Sequence, residues 1–293
     1  MTPTTPSSAA TSKTASEQPV IVIEPSRGWL SLQIQALWEY RELLYFLVWR
    51  DVKVRYKQTA LGMAWVILQP VVSMVVFSVL FGGLLKVPSG GVPYPIFAYA
   101  ALLPWNYFAG SLNRSSTSVV NNAQLITKVY FPRLVIPISG VLSGLVDFAV
   151  AFVVLMGLMA YYRITPTAAA LLLPGFILLA MTTALGFGMW LSALNVRFRD
   201  VQYLVPYLIQ IWMYVTPVIY GSTLIPERFR FLLGLNPMTG VVEGFRWALL
   251  GEHLADAHPP GFLFPVSIAI SLAVLVSGTI FFRNTERTFA DII

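Results

Sequence analysis

Between residues 62 and 282 the chain is one long apolar run, broken only by short polar or proline-containing stretches. The breaks leave six segments, at 62–85, 94–113, 135–162, 168–194, 201–220 and 262–282. Each is long enough to cross a bilayer's hydrocarbon core, which takes roughly 20 apolar residues as a helix. Lipid offers no partner for backbone amides, so such segments are helices or closed barrels, and lengths of 20 or more select helices. The charged fraction is 11%, whereas soluble domains carry about 25%. The expected fold is all-α and integral to a membrane, with six transmembrane helices.

Charge orients the chain. Arg27, Arg41, Arg50, Lys53, Arg55 and Lys57 precede the first segment, and Arg114, Lys128 and Arg133 follow the second. Arg197 and Arg199 follow the fourth, and Arg283 and Arg287 follow the sixth. The intervening loops hold only Lys86 and Arg163. This alternation places both termini in the cytoplasm by the positive-inside rule. It also accounts for the net charge of +6 without a nucleic-acid partner. The last external segment departs mildly from the pattern: Arg228, Arg230 and Arg246 occur there, accompanied by Glu227, Glu243, Glu252 and Asp256. Residues 1–26, rich in Ser, Thr, Pro and Ala, read as a disordered cytoplasmic tail, and residues 27–293 as the membrane domain.

Two regions are amphipathic without being long enough to cross. Residues 30–57 interleave Trp38, Leu44, Tyr45, Leu47, Val48 and Trp49 with Glu39, Arg41, Glu42, Arg50, Asp51 and Lys53. Such a helix lies in the membrane interface, either as an anchor or as a lever flanking the cytoplasmic mouth of a path. Residues 226–233 and 237–250 form two short helical candidates between segments 5 and 6, the second with Asn236 as N-cap and Gly251 just past its end. Both are too apolar to float in water, so an external re-entrant helical hairpin is expected. Irregular backbone at membrane depth needs protein or a wet cavity beside it.

Little catalytic equipment is present. There is no cysteine, and the two histidines, His253 and His258, flank Asp256 in what reads as a solvated loop. No phosphate-cradling GxxxxGK[ST] occurs, so the chain has no nucleotide site of that kind. Asp147 is the one carboxylate in the middle of a segment, on a face with Gly140, Ser143 and Gly144. Small residues at that spacing let helices approach. Asp147 is therefore either tucked into a tight contact, bonded to a hydroxyl or an amide, or used in transport.

Two stripes carry a different chemistry. Tyr203, Tyr207, Gln210 and Tyr214 share one helical face, and Trp65, Gln69, Ser73 and Phe77 share another. Aromatic faces with hydrogen-bonding edges suit sugar rings and bind without charge, which a sliding polymer requires. Interfacial aromatic belts are the other reading, and they cover the helix-end residues best. The loop after segment 2 has its own apolar residues, Leu125, Ile126, Tyr130 and Phe131, beside Asn122 and Lys128. They suit a docking knob for a cytoplasmic partner or burial in the interface.

Four ordered stretches resemble the membrane subunits of ABC-2-type exporters, in the branch that exports O-antigen, capsule or teichoic acid. They are FLVWRDVKVRYKQTALGMAWVILQP (46–70), NAQLITKVYFPRLVIP (122–137), LNVRFRDVQYLVPYLIQIWMYVTPVIY (194–220) and LNPMTGVVEGFRWALLG (235–251). The resemblance runs from about residue 29 to the C-terminus. It implies a homodimer of six-span subunits in the bacterial inner membrane, energised by two cytoplasmic ABC ATPase subunits. ATP and magnesium would belong to those partners and no cofactor to this chain. The implied substrate is an undecaprenyl-diphosphate-linked glycan. The coupling helix would map to 121–132, with Asn122, Leu125, Ile126, Lys128, Tyr130 and Phe131 docking the ATPase. The interfacial gate helix would map to about 32–56, the loop at the channel entrance to 61–62, and the external pair to 226–250. Arg50, Lys53, Arg55 and Lys57 are candidates for the lipid diphosphate. Glu227, Arg230, Glu243 and Arg246 are candidates for an external gate. An exporter of drugs or small lipids, an ion-coupled secondary transporter and a membrane acyltransferase or glycosyltransferase are the competing readings. The lone intramembrane acid disfavours the ion-coupled transporter, and the lack of a catalytic cluster disfavours the transferase.

Overall fold

Apolar helices in this chain begin and end largely where proline and loop residues allow. A computed structural model describes residues 34–57, 64–254, 261 and 263–289, and every long regular element among them is helical. The expectations for the tail, for the turn at 61–62 and for His258 lie outside the described residues. Helices α1 (Ile34–Glu39) and α2 (Arg41–Lys57) cover the expected interfacial segment, with a turn at Tyr40 between them. Helix α3 (Ala64–Phe77) runs on as a wider π-helical stretch, Ser78–Leu84. Then come α4 (Tyr94–Asn121), α5 (Ala123–Lys128), α6 (Val135–Leu142) and α7 (Gly144–Tyr162). Helices α8 (Leu173–Arg197), α9 (Val201–Val215), α10 (Glu227–Gly234), α11 (Pro237–Leu250) and α12 (Leu263–Glu286) complete the order.

Four helical stretches are long and apolar enough to cross a membrane: Ala64–Leu84, Val135–Tyr162, Ala168–Arg197 and Phe264–Glu286. Two expected crossings differ from their sequence reading. Helix α4 continues eight residues past Asn113, because its last two turns, rich in Ser and Thr, are satisfied locally. Ser116 Oγ and Thr117 Oγ1 donate to the Asn113 carbonyl at 2.8 and 3.1 Å, and Ser118 Oγ donates to that of Ser115 at 2.7 Å. Helix α9 stops at Val215, five residues short of the expected end. Thr216 precedes Pro217, and a residue before proline is pushed out of the helical region; it is extended here, at φ −86° and ψ 139°.

Helix α4 is the centre of the bundle. It packs against α3, α6, α7, α8, α9 and α11, while α12 lies against α8. The residues from Ile96 to Leu103 are almost fully enclosed. Glycine permits the closest approach, between α8 and α12. A Cβ on Gly186 would lie 2.7 Å from the Leu275 backbone nitrogen, and one on Gly278 would meet the Gly186 carbonyl. With no hydrophobic force between helices in lipid, such close backbone packing is a main source of association. Thr183 and Ser271 add a hydrogen bond of 2.9 Å across the same pair.

The segment between α9 and α11 is pinned by two side chains. Asn236 caps α11 by accepting from the Met238 amide at 3.1 Å, accepts from Trp212 Nε1 at 2.9 Å and donates to Thr216 Oγ1 at 2.8 Å. Arg246, only 4% exposed, donates to the carbonyls of Phe97 (3.3 Å), Pro217 (2.7 Å), Tyr220 (3.0 Å) and Val218. Its guanidinium lies 3.9 Å from the centre of the Phe97 ring.

Gly186→Val is expected to force α8 and α12 apart at a cost of about 1–3 kcal/mol, read as a lower melting temperature of the purified chain in detergent. Arg246→Met leaves buried carbonyls without a donor and is expected to cost about 3 kcal/mol. Arg246→Lys recovers only part of that loss, because an ammonium cannot reproduce the planar fork.

Candidate functional site

The aliphatic side of α2 fastens it to the bundle. Leu47 and Val52 are buried, and Leu47 belongs to a second apolar cluster with Ile126, Phe131, Val135, Ile136, Phe282 and Phe289. Trp38, Tyr45, Phe46 and Trp49 are left exposed on α1 and α2. This seating brings the polar edge of α2 against α4, α6 and α7. Lys53 and Lys57 remain exposed.

Asp147 is the hub of the resulting cluster. Its carboxylate accepts from Arg55 and from the Tyr56 hydroxyl, and Arg114 Nη1 lies 3.5 Å from Oδ2. The sequence suggested a hydroxyl or an amide as its partner; the structure supplies a hydroxyl, that of Tyr56, and adds two guanidiniums. Arg114 also donates from Nε to the Gly140 carbonyl at 3.0 Å and from Nη2 to Ser111 Oγ at 3.3 Å. Glycine makes this approach possible: a Cβ on Gly144 would collide with Arg114 Nη2 and stand 2.7 Å from Ser111 Oγ. Burial and the adjoining carboxylate push the Tyr56 phenol up to about 12, so it stays a hydrogen-bond donor at any physiological pH. Arg50 forms a second pair, reaching Asp51 at 2.8 Å and Asn122 Oδ1 at 2.7 Å.

Two cavities adjoin the cluster, and both are lined by Arg55 and Arg114. One, of about 420 Å³, lies between α2 and α4 and is bounded also by Arg50, Asp51, Thr117 and Asn122. The other, of about 290 Å³, reaches from Asp147 to Trp65, Gln69, Asn106 and Phe148. The first two residues of the α3 stripe thus border the same hollow as the charged cluster. Further along α3, Ser73 is half-buried, and Phe77 is half-buried with its ring edge-on to Phe81 at 5.8 Å. On α9, Tyr203, Tyr207, Gln210 and Tyr214 are all exposed along one face.

Around α5 the apolar residues divide between the bundle and the surface. Ile126 and Phe131 are buried, Leu125 is half-buried, and Asn122 is held by Arg50 and by the Ser118 carbonyl, to which it donates at 2.7 Å. Tyr130, 76% exposed, and Lys128 form the outward surface. On α10 and α11, Glu227 and Arg230 lie 3.7 Å apart on the surface, Glu243 is half-buried, and Arg246 is engaged by backbone as described. Among the described residues no His, Asp or Glu trio gathers as a metal would need.

Sequence reasoning missed Arg114 and Tyr56. Arg114 was counted as a loop charge because hydropathy ended its helix at Asn113, and Tyr56 carried no motif. The usable signal was Asp147 itself, since a carboxylate among apolar residues demands cationic or donor partners.

Comparison with known proteins places these features in context. An O-antigen export system permease protein, RfbA, from Myxococcus xanthus is 33% identical over 262 residues, covering 88% of this chain and 98% of that protein. A Klebsiella pneumoniae protein of the same name is 31% identical over 256 residues, covering 86% and 95%. The polysialic acid transport protein KpsM of Escherichia coli is 22% identical over 248 residues, covering 81% and 91%. Residues 42–250 match the ABC-2 type transporter family, a stretch that contains the whole charged cluster, both aromatic stripes and the segment pinned by Arg246. The chain is a member of the ABC-2 type transporter family.

Proposed function

We propose that this chain is the permease subunit of an ATP-driven exporter that moves a lipid-linked polysaccharide of the O-antigen kind across the bacterial cytoplasmic membrane. The observation that carries the reading is the uncharged face of Tyr203, Tyr207, Gln210 and Tyr214, exposed along α9 in a chain whose relatives are named for O-antigen export and polysialic acid transport. In this reading the six crossings are α3, α4, α6 with α7, α8, α9 and α12, and both termini are cytoplasmic. Helices α10 and α11 form the external re-entrant hairpin. Two copies pair so that the α9 face and the Trp65–Gln69 end of α3 line the path. Sugar rings slide over aromatic faces because each contact is weak and carries no net charge.

Two ABC ATPase subunits supply the energy and hold the ATP and magnesium; the permease itself makes and breaks no covalent bond. They dock at 121–132, where Lys128 and Tyr130 face outward. Arg50, Lys53, Arg55 and Lys57 lie at the mouth that meets the diphosphate of the lipid carrier. Glu227, Arg230 and Glu243 stand at the outer end, where Arg246 holds the turn between α9 and α10.

Replacing Tyr207 and Tyr214 together with alanine is expected to lower surface polysaccharide at least about fivefold, the loss of two contacts of roughly 0.5–1 kcal/mol each. Protein level and ATPase association stay unchanged, and full export by this variant rejects the sliding surface. Tyr130→Asp combined with Lys128→Glu is expected to abolish co-purification of the ATPase. Undiminished co-purification moves the docking site elsewhere. Phe131 is unsuited to that test, because a charge there disrupts the apolar cluster beneath α2.

A further inference from the structure

The cleft between α3, α4 and α7 has neutral polar walls that the charged cluster does not use. Leu103, Asn106, Tyr107 and Gly110 follow at helical spacing along α4. With Gln69 of α3 they border the hollow of about 290 Å³. The side-chain amides of Gln69 and Asn106 make no hydrogen bond among the described residues. Pro70 adds a third polar group: it has no N–H for the Val66 carbonyl one turn back, and both residues line the cleft. The apolar part is aromatic. Trp65, 55% exposed, lines the α3 side. Tyr107 and Phe148 meet edge-on at 5.7 Å, and Phe245 packs against Phe148 at 6.1 Å. These walls select the occupant. An acyl chain would leave two amides unpaired beneath it. A cation would find one carboxylate, Asp147, which three donors already hold. A neutral ring with hydroxyls at its edge and C–H faces above and below suits both kinds of wall. Its hydroxyls meet the carboxamides and the carbonyl, and its faces meet the aromatic rings.

We propose that this cleft is a binding site for one neutral pyranose ring, held inside a single subunit and apart from the tyrosine face of α9. That the ring belongs to an exported glycan rests on the exporter reading above; the site rests on the cleft's own residues. The two surfaces do different work. The α9 face is exposed along its length and lets rings pass, whereas three helices wall the cleft and hold one ring still. Gln69 and Asn106 are its specificity-determining residues. Hydroxyl stereochemistry decides which of their donors and acceptors are met, and a buried polar group left unmet discriminates strongly.

The test is a titration of the purified full chain in phosphatidylcholine nanodiscs, with fluorinated tryptophan at its eight tryptophan positions. Trp65→Phe identifies the Trp65 fluorine resonance. The probes are the methyl glycosides of glucose, galactose, mannose and N-acetylglucosamine. At least one is expected to shift that resonance to saturation. Asn106→Leu, close in size to the side chain it replaces, is expected to weaken that binding about tenfold, the scale of one to two hydrogen bonds. Gln69→Met is expected to do the same from an exposed position, so the test stands even where Asn106→Leu fails to fold. Glycerol, which has hydroxyls but no ring, is expected to leave the resonance in place. No saturable shift with any of the four glycosides, unchanged affinity in either folded variant, or an equal shift with glycerol overturns the proposal. Neither nucleotide nor export enters the measurement. An empty cleft therefore leaves the exporter reading standing, and failed export with intact sugar binding leaves the site standing.

Discussion

Enclosing one polar-edged helix inside five or six apolar ones is the constraint from which the rest of this structure follows. Helix α4 has neighbours on nearly every side, and an enclosed helix cannot leave side-chain donors or acceptors to water. Its aromatic first half, from Tyr94 to Phe108, packs against the surrounding helices and the residues after α9. Its hydroxyl-rich second half answers its own carbonyls and hands one, that of Ser116, to Asn195 of α8 at 3.2 Å. Helix α4 thus reaches from the segment pinned by Arg246 to the charged cluster, and one continuous helix joins the two.

Polar groups in the bundle follow two rules. Two charges are held by several contacts each: Arg246 spreads its guanidinium over four carbonyls and a ring, and Asp147 gathers three donors. Hydroxyls, by contrast, serve partly as small side chains. Ser115 Oγ and Ser267 Oγ have no hydrogen-bond partner, yet each sits against a glycine of the facing helix, Gly188 and Gly240 respectively. Size, more than polarity, explains serine at those positions.

Much of this was legible beforehand, in proportion to how directly hydropathy governs each element. The segments at 135–162 and 168–194 correspond closely to their helices because lipid-facing helices are apolar along their length. Helix α4 was cut short for the opposite reason: what surrounds it is protein, and protein tolerates Arg114, Ser115 and Ser116 where lipid would not. The helix pair at 226–250 was readable from Asn236 and Pro237, a cap and an N1 proline whose effects are local. The charged cluster was only half readable. Asp147 announced a need for partners, but Arg55 and Arg114 come from elements 92 and 33 residues away in sequence, and no local pattern joins them. Nor does a local pattern show the burial of Ile126 and Phe131, which depends on where α2 and α12 come to rest.

The early stop of α9 has a consequence for insulation. Fifteen residues rise about 22 Å, well under the roughly 30 Å of a hydrocarbon layer. If α9 is one of six crossings, as proposed, the turn that Arg246 ties down makes up the difference with bent chain. On the exporter reading, the dielectric barrier is thinnest beside the row of tyrosines, where a hydrated glycan has to shed the least water to pass. A proline two residues beyond Val215 thereby sets the depth of the trough.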